Sequence, residues 1–185
     1  MKKQSNDITR DATGVLFRGL ILSVLCVISY WLITHILAHT FSVSRDDDLL
    51  GGMWAVVATI FVYRYGYEQS VAAALSRIAA TLLSFLLCFL YLLFFPFNMW
   101  GMAALIGVGA VMMVWLGRPD DVITTGITTA VVMVVAAMGP DHAWKQPVLR
   151  VVDTMVGTGV GMVGTLITPT VRKQWIRTSQ ERSKN

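Results

Sequence analysis

Two five-residue segments repeat one pair of polar side chains in an apolar setting: Arg77-Ile-Ala-Ala-Thr81 and Arg150-Val-Val-Asp-Thr154. A guanidinium presents a rigid fork of donors and a permanent charge, and both match a planar carboxylate. A threonine one turn along the same helix face adds a hydroxyl. Asp153 follows Arg150 by one turn and would tune its charge. Arg77, Thr81, Arg150, Asp153 and Thr154 are therefore the candidate residues for binding an anion. Two boundary arginines snorkelling to lipid headgroups would look the same in sequence, and the residues leave that choice open.

Other reactive groupings are sparse. His35 and His39 are four apart and share a helix face, but no third ligand accompanies them, and Asp46, Asp47 and Asp48 read as solvated external charge. Cys26 and Cys88 both fall inside apolar stretches and read as packing residues. No nucleophile stands beside a base, and neither a phosphate-binding glycine loop nor a paired-carboxylate site is present. The expectation is a protein that is not an enzyme and that carries neither a cofactor nor a metal.

The elements that must hold the arginines follow from hydropathy. Of the 185 residues, 55% are hydrophobic and 14% charged, a balance that points to lipid as the surrounding medium. Residues 78 to 117 carry no charge, far more than the roughly 20 residues of one crossing. Pro96, Phe97 and Asn98 break that run into a hairpin. Six helical spans are predicted, at 19–38, 49–66, 78–95, 99–116, 122–138 and 148–168. Tyr63, Tyr65 and Tyr67 suit an interfacial belt, Asp120 and Asp121 are placed to cap the fifth helix, and Pro147 suits the first turn of the sixth. The fold class is thus an all-α integral membrane protein. A tail at 1–14, a six-helix domain at 15–170 and a basic tail at 171–185 divide the chain.

Lys and Arg crowd one side of this topology. With the amino terminus inside, the cytoplasmic set includes Lys2, Lys3, Arg10, Arg18, Arg64, Arg77, Arg118, Arg172, Lys173 and Arg177, against Arg45, Lys145 and Arg150 outside. Both termini are expected in the cytoplasm, and helix 1 is read as retained because its apolar run is too long for a signal peptide. The net charge of +4 follows topology and forms no groove for nucleic acid, so anionic lipid headgroups are the expected partner of the basic residues.

The two Arg-x-x-x-Thr segments also suggest duplication. They open the third and sixth helices, and superposing helices 1 to 3 on helices 4 to 6 makes a 3+3 repeat whose second unit is inverted, because each unit crosses three times. Gly157, Gly161 and Gly164 in the sixth helix permit close helix packing, and Thr154, Thr158 and Thr165 would present hydroxyls to any conduit there.

The stretch Trp54-Ala-Val-Val-Ala-Thr-Ile-Phe-Val62, followed by Ser70 through Arg77-Ile-Ala-Ala-Thr81, resembles the fusaric acid resistance-like, or aromatic acid exporter, membrane domain. That family follows a Trp-initiated helix with Arg-x-x-Gly-Thr-x-x-Gly. This chain matches at Trp54, Arg77 and Thr81 but has Ala80 and Ser84 for the glycines. Arg150, Thr154 and Gly157 look like a second copy, with Asp153 in a glycine place. The resemblance implies a bacterial inner-membrane transport protein for small organic anions, often aromatic carboxylates, and kinship with plant malate channels that work as dimers. A homodimer exporting such anions is the leading expectation. The alternative is a non-transporting assembly subunit of a larger exporter or envelope complex.

Overall fold

The computed structural model describes the backbone of residues 2–37, 45–64, 66–138 and 144–182, and the side chains of 14–36, 48–64, 66–138 and 144–171. Among these residues the chain is all helical. Helix α1 (Lys2–Trp31) runs into a π-helical turn (Leu32–Leu37), followed by α2 (Arg45–Val62), α3 (Tyr67–Phe94) and α4 (Met99–Trp115). A 3-10 turn (Pro119–Asp121) then leads into α5 (Val122–Met138), and α6 (Lys145–Arg182) completes the set.

Among the described residues, four helical segments are long and apolar enough to cross a membrane: Gly14–Ile36, Tyr67–Phe94, Pro119–Met138 and Lys145–Val171. The apolar helices Asp48–Val62, within α2, and Met99–Trp115, α4, are shorter. They rise about 23 and 26 Å, under the roughly 30 Å of a hydrocarbon core.

Several predicted boundaries move. The sequence predicts the second span at 49–66, whereas α2 stops at Val62, whose carbonyl accepts the Ser70 hydroxyl at 2.8 Å and closes a tight connection to α3. Helix α3 accordingly begins at Tyr67, well before Ile78. Tyr63 donates or accepts at Thr168 Oγ1, 3.1 Å away on α6, while Tyr65 lies outside the described residues. Helix α6 continues past Thr168 and through Pro169 as far as Arg182, so the predicted basic tail begins as helix. Of the two carboxylates expected to cap α5, Asp121 is engaged by the Ser76 hydroxyl of α3 and by Arg118 Nε at 3.0 Å. The hairpin at 95–98 forms as expected, and the Asn98 side chain caps α4 by accepting the Trp100 amide at 2.9 Å.

Contact register gives the helix directions. Gly51, Ala55 and Thr59 of α2 lie against Asp153, Gly157 and Gly161 of α6 in rising order, so these two helices are parallel. Ser76, Ser84 and Cys88 of α3 meet, in the same sense, Asp121 of the 3-10 turn and Thr125 and Thr129 of α5. Ser70 meets Thr165 and Thr81 meets Thr154, so α3 and α6 are antiparallel. Tyr91 and Leu87 meet Gly101 and Gly109, which makes α3 and α4 antiparallel.

The interior is polar for a helical bundle. Apolar clusters are small, one around Ala80, Leu83 and Met113 and another around Cys88, Val132 and Met133. Outside these clusters Thr59, Ser70, Ser84, Thr125, Thr128 and Thr129 are buried and mostly bonded to helix carbonyls or to one another. Large apolar side chains point outward instead, Trp115 being 93% exposed and Trp100 73%. Lipid tails are as apolar as leucine, so burial of leucine gains little there, and small and hydroxylated residues are what bring helices together.

Candidate anion site

The two Arg-x-x-x-Thr segments meet at the centre of the bundle. Thr81 Oγ1 and Thr154 Oγ1 lie 3.5 Å apart where α3 crosses α6, and both residues are buried. The gap beside them, bounded by Ile78, Leu82, Val151 and Met155, is too narrow to admit water.

Arg150 and Arg77 are both buried, at 1% and 3% exposure, so neither reaches headgroups. Arg150 Nη2 lies 3.3 Å from Asp153 Oδ2, forming a buried pair along one helix turn. Asp153 is itself pressed against Gly51 of α2, where a Cβ would stand 2.8 Å from its carboxylate oxygen.

Arg77 is held differently. Its guanidinium carbon lies 5.0 Å from the ring centre of Trp54 and 5.1 Å from that of Phe61, both on α2. Trp54 and Phe61 are seven residues apart, two turns, and so share one helix face. Cation–π contact stabilises the charge but leaves the in-plane donors unused. Among the described residues, Arg77 Nε and Nη2 have no hydrogen-bond partner, nor has Trp54 Nε1. Nε and Nη2 are the side-on edge of the guanidinium, the pair that chelates both oxygens of a carboxylate. Antiparallel register places Thr158 level with Arg77, and its buried hydroxyl is also without a partner among the described residues.

The glycines of α6 set how near these groups stand. A Cβ on Gly157 would collide with the Ala55 carbonyl oxygen, one on Gly161 would stand 3.0 Å from the Thr59 carbonyl oxygen, and one on Gly164 would run into Leu25 of α1. Thr59 Oγ1 also donates to the Gly157 carbonyl at 3.0 Å. Gly159 has open space and belongs to no seam.

Outside this centre, the His35 ring stacks on Trp31 at 5.7 Å and its Nδ1 lies 2.9 Å from Thr34 Oγ1. His39 and the side chains of Asp46 and Asp47 lie outside the described residues. Cys88 packs in the second apolar cluster and Cys26 is part-buried, both as free thiols. A cleft of about 430 Å³ between the α3–α4 hairpin and Ala136 holds none of the candidate residues.

Several apolar helices packed around buried hydroxyls and cations define a multi-pass α-helical membrane protein. The chain belongs to the fusaric acid resistance protein-like family, whose model matches residues 25–164. That stretch contains both arginine segments and the glycine seam. Membership places the chain, at a general level, among membrane transport and resistance proteins. Neither a curated protein nor a solved structure matches it.

Proposed function

We propose that this protein moves small organic anions, aromatic carboxylates among them, across the bacterial inner membrane, with Arg77 as the carboxylate contact. The observation that carries this reading is the buried Nε–Nη2 edge of Arg77, with no hydrogen-bond partner among the described residues. A buried cation with open donors is expensive unless an anion or water completes it. Trp54 Nε1 and the Thr158 hydroxyl are further donors at hand, and the Thr81–Thr154 contact is the constriction that must part for passage.

All six helices cross in this reading, with residues 1–14 and 171–185 cytoplasmic, and the chain works as a homodimer without cofactor or metal. The alternating directions of neighbouring helices support six crossings. An inverted 3+3 repeat is supported by recurring contacts. Gly157 on the Ala55 carbonyl and Gly161 on the Thr59 carbonyl are matched, one unit apart, by Ser84 on the Thr125 carbonyl and Cys88 on the Thr129 carbonyl. The Leu25–Gly164 contact is matched by Gly101–Tyr91.

Flux tests the function. Proteoliposomes of the purified protein are expected to take up radiolabelled terephthalate, a planar aromatic dianion that leaks little through lipid, well above empty vesicles. Uptake at the empty-vesicle level would favour the assembly-subunit reading, which the tightness at Thr81 and Thr154 also suits. Topology is tested by labelling single cysteines in intact cells with a membrane-impermeant maleimide. Phe97→Cys and Trp144→Cys are expected to react and Leu116→Cys to stay protected, and labelling of Leu116→Cys from outside would sink the orientation.

A further inference from the structure

We infer that the two halves have divided the work of the paired arginines, and that Ala80 is the position that keeps Arg77 open for an anion. The inference rests on the transport reading above and names which arginine serves it. Residues 73 apart meet at Thr81 and Thr154, and the same step carries Arg77 onto Arg150 and Ala80 onto Asp153. In the second half the carboxylate at that place reaches back one turn and pairs with Arg150 at 3.3 Å. In the first half a fully buried alanine stands there, packed with Leu83 and Met113, and Arg77 has ring faces in place of a counter-ion.

The consequence is a single anion site per chain. A carboxylate approaching Arg150 must displace Asp153, which is buried and wedged against Gly51, whereas one approaching Arg77 meets free donors. Arg150 then acts as a fixed cation neutralised within α6, and Arg77 is where a substrate carboxylate docks. The acid at the Ala80 place sets whether an arginine in this fold is a lock or a ligand site.

Equilibrium dialysis with radiolabelled terephthalate on the detergent-solubilised protein reads this directly. Wild type is expected to bind one terephthalate per chain, and two per chain would overturn the inference without any variant. Ala80→Asp gives Arg77 the counter-ion that Arg150 already has and is expected to weaken binding by tenfold or more, on the order of one charge-assisted bond. Ala80→Asn carries nearly the same bulk without the charge and is expected to stay within about threefold of wild type. Equal losses in the two variants, or none in a folded Ala80→Asp protein, would also overturn it. No binding by wild type would instead remove the transport reading beneath it.

Discussion

Replacing Arg77 with methionine is expected to abolish terephthalate uptake in proteoliposomes while leaving the protein folded. The substitution removes both donors of the side-on fork, and each charge-assisted bond contributes about 1.5–3 kcal/mol, so the expected loss is roughly a hundredfold or more. Folding survives because methionine fills much of the same volume, contacts Trp54 and Phe61 through its sulfur, and relieves a buried charge. Arg77→Lys keeps the charge but not the planar pair of donors, and is expected to retain on the order of a tenth of the rate. A methionine variant with wild-type uptake would show that the open edge of Arg77 does not meet the substrate.

Gly157→Ala and Gly159→Ala, two residues apart on one helix, are expected to have opposite effects on stability. A methyl at Gly157 meets the backbone oxygen of Ala55, which cannot rotate away, so α2 and α6 must separate and the Thr59–Gly157 hydrogen bond is strained or lost. Overpacking of this kind costs about 1–3 kcal/mol, and Gly157→Leu is expected to prevent the seam from forming. At Gly159 nothing stands within 4 Å, and alanine gains up to about 1 kcal/mol of helix propensity. Thermal unfolding of the detergent-solubilised variants checks both, with Gly157→Ala melting lower than wild type and Gly159→Ala no lower. Equal melting temperatures would mean that the α2–α6 seam is looser than its contacts indicate.

Much of the site was legible because its signals are local or periodic. The recurrence of Arg-x-x-x-Thr marked two segments that meet at Thr81 and Thr154, and the spacing of Arg150 and Asp153 marked a pair one turn apart. Glycines four apart at 157 and 161 marked a seam, though not its partner, since the opposing Ala55 and Thr59 give no periodic signal of their own. The rings around Arg77 were the main omission. Trp54 stood out only as a family residue and Phe61 not at all, because their contact depends on how α2 docks beside α3. Their spacing of seven was the clue available.

Hydropathy was least informative about boundaries. The end of α2 is set by the Ser70 hydroxyl taking the Val62 carbonyl, a contact eight residues apart that no window average contains. Asp121 looked like a helix cap because of its place before α5, and its engagement by Ser76 depends on α3 lying parallel to α5. Counting crossings sets Arg77 and Arg150 toward opposite membrane faces; in the antiparallel register of α3 and α6 they lie on opposite sides of the Thr81–Thr154 contact, both buried.

The docking of a carboxylate on Arg77 is most directly observed through the Nε–H resonance of that side chain. With ¹⁵N-arginine labelling in nanodiscs, and Arg77→Lys to assign the signal, terephthalate is expected to shift the Arg77 Nε–H proton downfield saturably while the Arg150 resonance stays in place. A titration that moves Arg150 and leaves Arg77 unchanged would contradict the account.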